Sequence, residues 1–179
     1  MVSRRHHDPS PSSVTEVTGA DLRSVMSRVA TPVTVVSCML GNAPHGTTVS
    51  AFVSLSLDPP LVLVCLDRSS DLLRAIRSSG RFGVNILGHE QERLARNFAR
   101  KGADKFEGVE WTVAQGLPRI QQAPGWLACE LAKVTPGGDH LILTGKVIVA
   151  EHAEGAPPLT YCGGRFGTHS AVDCGTNVP

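Results

Sequence analysis

The chain has no Cys-x-x-Cys pair, no apolar run long enough to cross a bilayer and almost no net charge, and each absence closes a class of function. Five cysteines, at 38, 65, 129, 162 and 174, are scattered, and an odd, unpaired set argues against a disulfide framework. Cys38, Cys65 and Cys129 lie inside apolar runs, where cysteine behaves as a small buried hydrophobe. The seven histidines do not join them at metal-ligand spacing, so no metal is indicated. A formal net charge of +1 provides no field for a polyanion, which excludes nucleic acid and an anionic membrane as expected partners. The longest aliphatic stretch, Leu61 to Leu66, falls far short of the roughly 20 residues of a spanning helix. Arg4, Arg5, His6 and His7 are followed by Asp, Pro and Ser instead of the apolar core of a signal peptide. A cytoplasmic protein is expected.

Catalytic signatures are missing too. Gly163 to Gly167 lacks the spacing of the dinucleotide fingerprint, and Gly138 to Lys146 has the wrong interval for a phosphate loop, with Val147 where Ser or Thr is needed. No Ser-x-x-Lys, Gly-x-Ser-x-Gly or His-Glu-x-x-His pattern occurs, so covalent and zinc hydrolysis have no support. Any chemistry then belongs to a cofactor.

What is present is 179 residues, 41% hydrophobic and 18% charged, suited to one globular domain. Residues 1–18, rich in Ser, Pro, His and Arg, read as a mobile tail, 19–170 as the domain and 171–179 as a C-terminal tail. Leu22, Val25, Met26 and Val29 share one face of a short helix that Pro32 closes. β-Branched runs follow at Val33 to Leu40, Thr47 to Leu57, Leu61 to Leu66, Arg81 to Leu87, Leu127 to Thr135 and Leu141 to Ala150. Turn residues separate them at 41–46, 58–60 and 136–139. Two helices are expected at Ser70 to Ser79 and Glu90 to Arg100. Many strands without regular strand–helix alternation point to a mainly β fold with a few helices, a closed antiparallel barrel rather than a doubly wound sheet.

The stretch from Gly46 to Leu61 carries small hydroxyl residues at 47, 48, 50, 54 and 56, where a buried strand ordinarily carries aliphatics. It reads either as the solvated side of an edge strand or as a strand against which a flat heteroaromatic ligand lies. Further motifs follow in order: Cys65-Leu66-Asp67-Arg68-Ser69-Ser70, Phe82-Gly83-Val84-Asn85-Ile86-Leu87, Asp104-Lys105-Phe106, Gly138-Asp139-His140 with Gly145, and Tyr161-Cys162-Gly163-Gly164-Arg165-Phe166. Over roughly residues 20 to 168 this ordered set resembles the flavin reductase family, whose members fold as a flavin-binding split β-barrel. Similar chains are the reductase components of two-component monooxygenases, serving phenol-type and antibiotic-pathway hydroxylases.

The resemblance implies a split-barrel homodimer using NADH to reduce FAD or FMN for a separate monooxygenase. It places the flavin along Thr47, Thr48, Val49, Ser50 and Ala51, with Cys65, Leu66 and Asp67 on the neighbouring strand and Ser70, Lys105 and Asn85 contributing. His140 is placed near the nicotinamide and the flavin ring, as the catalytic candidate, with Tyr161, Gly163, Gly164 and Arg165 on the pyridine nucleotide side. Side-chain chemistry alone gives each a second reading: Ser70 an ordinary helix cap, Lys105 a solvated charge, Asn85 a satisfied core amide, His140 a turn residue and Arg165 a surface charge. NADH is preferred over NADPH because no arginine cluster near the C-terminal motif suggests a 2′-phosphate site. A tight flavin-binding oxidase, a non-catalytic flavin carrier and a plain β-barrel adaptor are the competing readings.

Overall fold

The computed structural model describes residues 16–102, 104–154 and 156–171. Most of the two expected tails, and Cys174, lie outside the described residues. The elements run α1 (Gly19–Met26), β1 (Thr31–Pro32), β2 (Thr34–Leu40), β3 (Ala43–Val49), β4 (Phe52–Leu57), β5 (Pro60–Asp67), α2 (Asp71–Ser79) and β6 (Arg81–Ile86). A 3-10 turn (His89–Gln91) leads into α3 (Glu92–Ala99), followed by β7 (Trp111–Ala114), β8 (Leu117–Ile120), β9 (Gly125–Gly137), β10 (His140–His152), β11 (Leu159–Cys162) and β12 (Arg165–Thr168).

Seven strands form one sheet in the order β3-β2-β6-β9-β10-β5-β4, every neighbour antiparallel. β3 and β4 are thus opposite edges, yet only Ser50 and Ala51 separate them in the chain. Two intervening residues bridge roughly 10 Å at most, so the sheet curls until its edges meet. The two edges are joined by chain continuity at this corner, with no β3–β4 ladder, and a hydrogen bond from the Cys65 amide to the Ala51 carbonyl (3.0 Å) carries the β4–β5 pairing up to it. That missing ladder is the split.

This corner corrects the single strand expected over Thr47 to Leu57. Apolar alternation runs through Ser50 and Ala51 undisturbed, but the Phe52 amide bonds back to the Ser50 carbonyl (2.9 Å) and the chain turns from one edge to the other. The turn expected over 41–46 is likewise shorter. Leu40 pairs with Ala43, leaving Gly41 and Asn42 as a two-residue hairpin loop in which Gly41 has φ +59°. β1, β7, β8, β11 and β12 were not foreseen, being short pieces of two to four residues. β9 and β10 extend beyond the expected strands to form the longest hairpin of the sheet.

β2 is buried on both faces, which explains its continuous apolar run. Val36 and Cys38 join an inner core with Val64, Phe82, Trp126 and Leu143, while Val33 and Val35 join an outer one with Leu87, Phe98 and Leu159. α2 adds Leu72, Leu73 and Ile76 to the inner core, its N-terminus capped by Ser70 and its C-terminus by Gly80 at φ +71°. α3 packs Ala95 and Phe98 onto the outer core. Gly46 makes that packing possible, since a β-carbon there would lie 2.8 Å from Phe98 Cε1.

α1 departs from expectation. It ends at Met26, capped by Ser27, because Thr31 and Pro32 are drawn into a ladder with β11. None of its residues is buried, and Leu22, Val25, Met26 and Val29 face solvent, Val25 with 67% exposure. Val53, Leu55 and Leu57 of β4 are exposed as well. Among the described residues no helix is long and apolar enough to cross a membrane.

Candidate active site

The split opens into a cavity of about 1360 Å³, larger than the roughly 300–1,000 Å³ of an ordinary small-ligand pocket. β3, an edge strand, offers it a row of backbone groups not taken by a ladder partner. Thr47, Thr48, Val49, Ser50 and Ala51 line one side, Cys65, Leu66 and Asp67 the other, and Ser70, Lys105 and His140 complete the ring of foreseen residues. Segments far apart in sequence converge there because β3 and β5 flank the same gap and β10 runs beside β5, pairing His140 with Asp67.

The side chains do different work from that first reading. Thr47 Oγ1 donates to the Phe98 carbonyl (3.3 Å) and Thr48 Oγ1 to the Ala95 carbonyl (2.6 Å), so both hydroxyls tie β3 to α3. Val49 and Leu66 are buried in the core and present mainly backbone to the cavity. Ser50 and Ala51 are exposed, and their small side chains leave the corner open. Lys105 Nζ donates to the Gly46 carbonyl (3.3 Å) and the Phe98 carbonyl (3.0 Å), and burial lowers its pKa. It is a clamp more than a free cation.

Asp67 Oδ1 accepts from the Ser69 amide (2.7 Å) and hydroxyl (2.6 Å), hydrogen bonds that hold its carboxyl below the usual carboxylate range. This turn delivers Ser70, whose Oγ accepts from the Leu73 amide (3.4 Å) as the cap of α2. His140 Nδ1 lies 2.7 Å from Asp139 Oδ1, and that hydrogen bond lowers the Asp139 pKa. The His140 side chain is 43% exposed.

Five foreseen residues stand apart from this cavity. Asn85 is fully buried: its Nδ2 donates to the Val35 carbonyl (3.1 Å), Ser37 Oγ (3.2 Å) and the Pro118 carbonyl (3.4 Å), while Oδ1 accepts from the Ile120 amide (2.8 Å). With donors and acceptor spent on β2 and β8, it is a core tie and not a flavin contact. Tyr161, Gly163 and Arg165 lie on the separate β1-β11-β12 sheet. Gly163 and Gly164, at φ +58° and +79°, form its hairpin turn, and Tyr161 packs edge-on against Phe166. In the protomer they do not reach the cavity.

Residues that the sequence reading missed also line it, among them Arg74, Ser78, Arg100 and Lys101. Ser70, Arg74 and Ser78 recur every four residues, a polar stripe of α2 opposite its Leu72, Leu73 and Ile76 face, and that period was available in the sequence. The cavity therefore combines an open strand edge and small side chains with a capped helix N-terminus and basic groups. Such a set fits a flat ring system carrying a phosphorylated tail.

Comparison with known proteins gives the same direction. Residues 26–170 match the family model described as flavin reductase like domain. The reductase component of 4-nitrophenol 4-monooxygenase/4-nitrocatechol 2-monooxygenase from Rhodococcus opacus is 40% identical over 148 residues, 83% of this chain and 80% of that protein. An NADH-dependent FAD reductase from Streptomyces globisporus is 36% identical over 151 residues, 81% of this chain and 82% of that protein. The solved structure of the NADH:FAD oxidoreductase of Streptomyces globisporus C-1027, in complex with NAD and FAD fragments, superposes with a TM-score of 0.81. It is 36% identical, covering 87% of this chain and 94% of that one. Barrel, split and matching sequence together place the chain in the flavin reductase like domain family.

Proposed function

We propose that this chain is an NADH-dependent flavin reductase that supplies reduced FAD, or FMN, to a separate monooxygenase. The observation that carries the reading is the convergence of Thr47 to Ala51, Cys65 to Ser70 and His140 on one cavity in a member of this family. Relatives that are reductase components of monooxygenases, and one that reduces FAD with NADH, support the partner and the cofactors.

A flavin bound in the cavity would supply the redox chemistry, as acceptor of a hydride from the dihydronicotinamide. The protein's share is placement. The open edge of β3 and the backbone of β5 would hold the ring system, while the capped N-terminus of α2 with Arg74 and Lys101 would meet phosphate. His140, at the β10 end of the cavity, would orient the nicotinamide, and alignment of the two rings within near-attack distance supplies the rate.

The working form is a cytoplasmic homodimer. Leu22, Val25, Met26 and Val29 on α1 and Val53, Leu55 and Leu57 on β4 are apolar surfaces of the kind that mark protein contacts. Tyr161, Gly163 and Arg165 take part in the site only if a second copy brings them to it. Sedimentation is expected to give twice the 18.9 kDa chain mass. The central test is NADH consumption with and without added FAD or FMN. A rate that requires added flavin is expected; absence of NADH oxidation with either flavin refutes the reading.

A further inference from the structure

β9 and β10 meet at Gly138 and Asp139, with Gly137 paired to His140. Gly138 has φ +69° and Asp139 does not share that sign, the pattern of a type II′ hairpin turn. The turn is held from outside. Arg68 donates its amide to the Asp139 carbonyl (3.2 Å) and its Nε to the Gly138 carbonyl (2.8 Å). Asp139 and His140 are therefore fixed to the same loop that carries Asp67 and Ser70.

We propose that Asp139 is a positioning residue for flavin reduction, holding His140 as the Nδ1–H tautomer so that Nε2 presents a lone pair to the carboxamide N–H of the dihydronicotinamide. The proposal rests on His140 meeting the nicotinamide. An ionised carboxylate only accepts, so at 2.7 Å the imidazole Nδ1 must be the donor. Neutral imidazole then has its single acceptor at Nε2, on the side away from Asp139. A primary carboxamide carries two N–H donors, and a ring held in this state is matched to one of them before the ligand arrives. Without Asp139, both tautomers and both ring orientations become available, and the match is lost in a fraction of molecules. Asn at 139 keeps an acceptor oxygen for Nδ1–H while removing the charge.

The test uses the full-length protein and two readouts. Nitrogen-15 spectra of His140, assigned by comparison with His140→Ala, report the tautomer above the imidazole pKa without any nucleotide. Anaerobic stopped-flow reduction by NADH at saturating FAD reports the consequence. Wild type and Asp139→Asn are expected to show Nδ1–H, and Asp139→Ala a mixture shifted to Nε2–H. Asp139→Ala should lose about three- to tenfold in the second-order reduction constant, the effect of one modest hydrogen bond, with Asp139→Asn restoring most of it. Unchanged tautomer populations in Asp139→Ala overturn the proposal, as does a changed tautomer with no change in rate. His140→Ala separates the two levels. If it slows reduction while Asp139→Ala does not, only the positioning role fails; if it leaves the rate constant and NADH dependence unchanged, the nicotinamide contact itself fails.

Discussion

Gly145 belongs to the motif that begins at Gly138-Asp139-His140, and its position on β10 assigns it to packing instead of ligand binding. A β-carbon there would lie 2.3 Å from Phe82 Cζ, 2.8 Å from Phe82 Cε1 and 3.0 Å from Cys129 Cβ. Phe82 and Cys129 are both fully buried in the inner core, so the ring has no solvent to move into. Overpacking of such a core costs about 1–3 kcal/mol, and a contact this short belongs at the upper end. Replacing glycine in a strand returns roughly 0.5–1 kcal/mol of backbone entropy. The net loss for Gly145→Ala is then about 2 kcal/mol, which for a chain of this length lowers Tm by about 4–8 °C. Calorimetry of Gly145→Ala, Phe82→Leu and the double variant measures it. Because Phe82→Leu removes the ring tip, the double variant should be more stable than the sum of the single losses implies. KM for FAD and NADH should stay at wild-type values below the transition, since neither residue lines the cavity. A Tm within 1 °C of wild type refutes the packing argument, and a raised KM with unchanged Tm returns Gly145 to the binding site.

Ser50→Leu should weaken flavin binding by at least tenfold while leaving Tm nearly unchanged, because residue 50 is exposed at the open corner and a leucine fills the cleft without straining the core. Fluorescence titration with FAD beside thermal melting checks it; retained affinity with reduced stability places residue 50 in the core instead. Thiol labelling followed by mass spectrometry should rank the cysteines by burial. Exposed Cys162 should react freely, and Cys65 slowly because burial pushes its thiol up, with FAD slowing it further since it lines the cavity. Cys38 and Cys129 should resist, their pKa pushed up by burial to about 12, which leaves roughly one thiolate in ten thousand at pH 8. Equal labelling of Cys65 with and without bound FAD contradicts the placement of the ligand.

The family, the mainly β character and part of the cavity-lining set could be read directly from the chain, because each rests on local pattern. β2 and β5 announce themselves by β-branched runs, α2 by a serine cap, a 3.6-residue apolar period and a closing glycine, and the motifs by fixed spacing. The resemblance carried by those motifs also sufficed to single out 47–51, 65–67 and 140. It could not show what each side chain does there. The Thr47 and Thr48 hydroxyls are spent on α3, 51 and 47 residues away in sequence respectively, and Lys105 on Gly46, so their roles depend on a contact between elements that no local pattern encodes. The resemblance set Asn85 among the flavin contacts while its chemistry also allowed a satisfied core amide, and only the approach of β2 and β8 satisfies that amide internally. The same holds for the corner at Ser50 and Ala51. Period-2 alternation continues through it without a break, and the chain turns there because a curled seven-stranded sheet brings its two edges together, which is a property of the closed sheet as a whole.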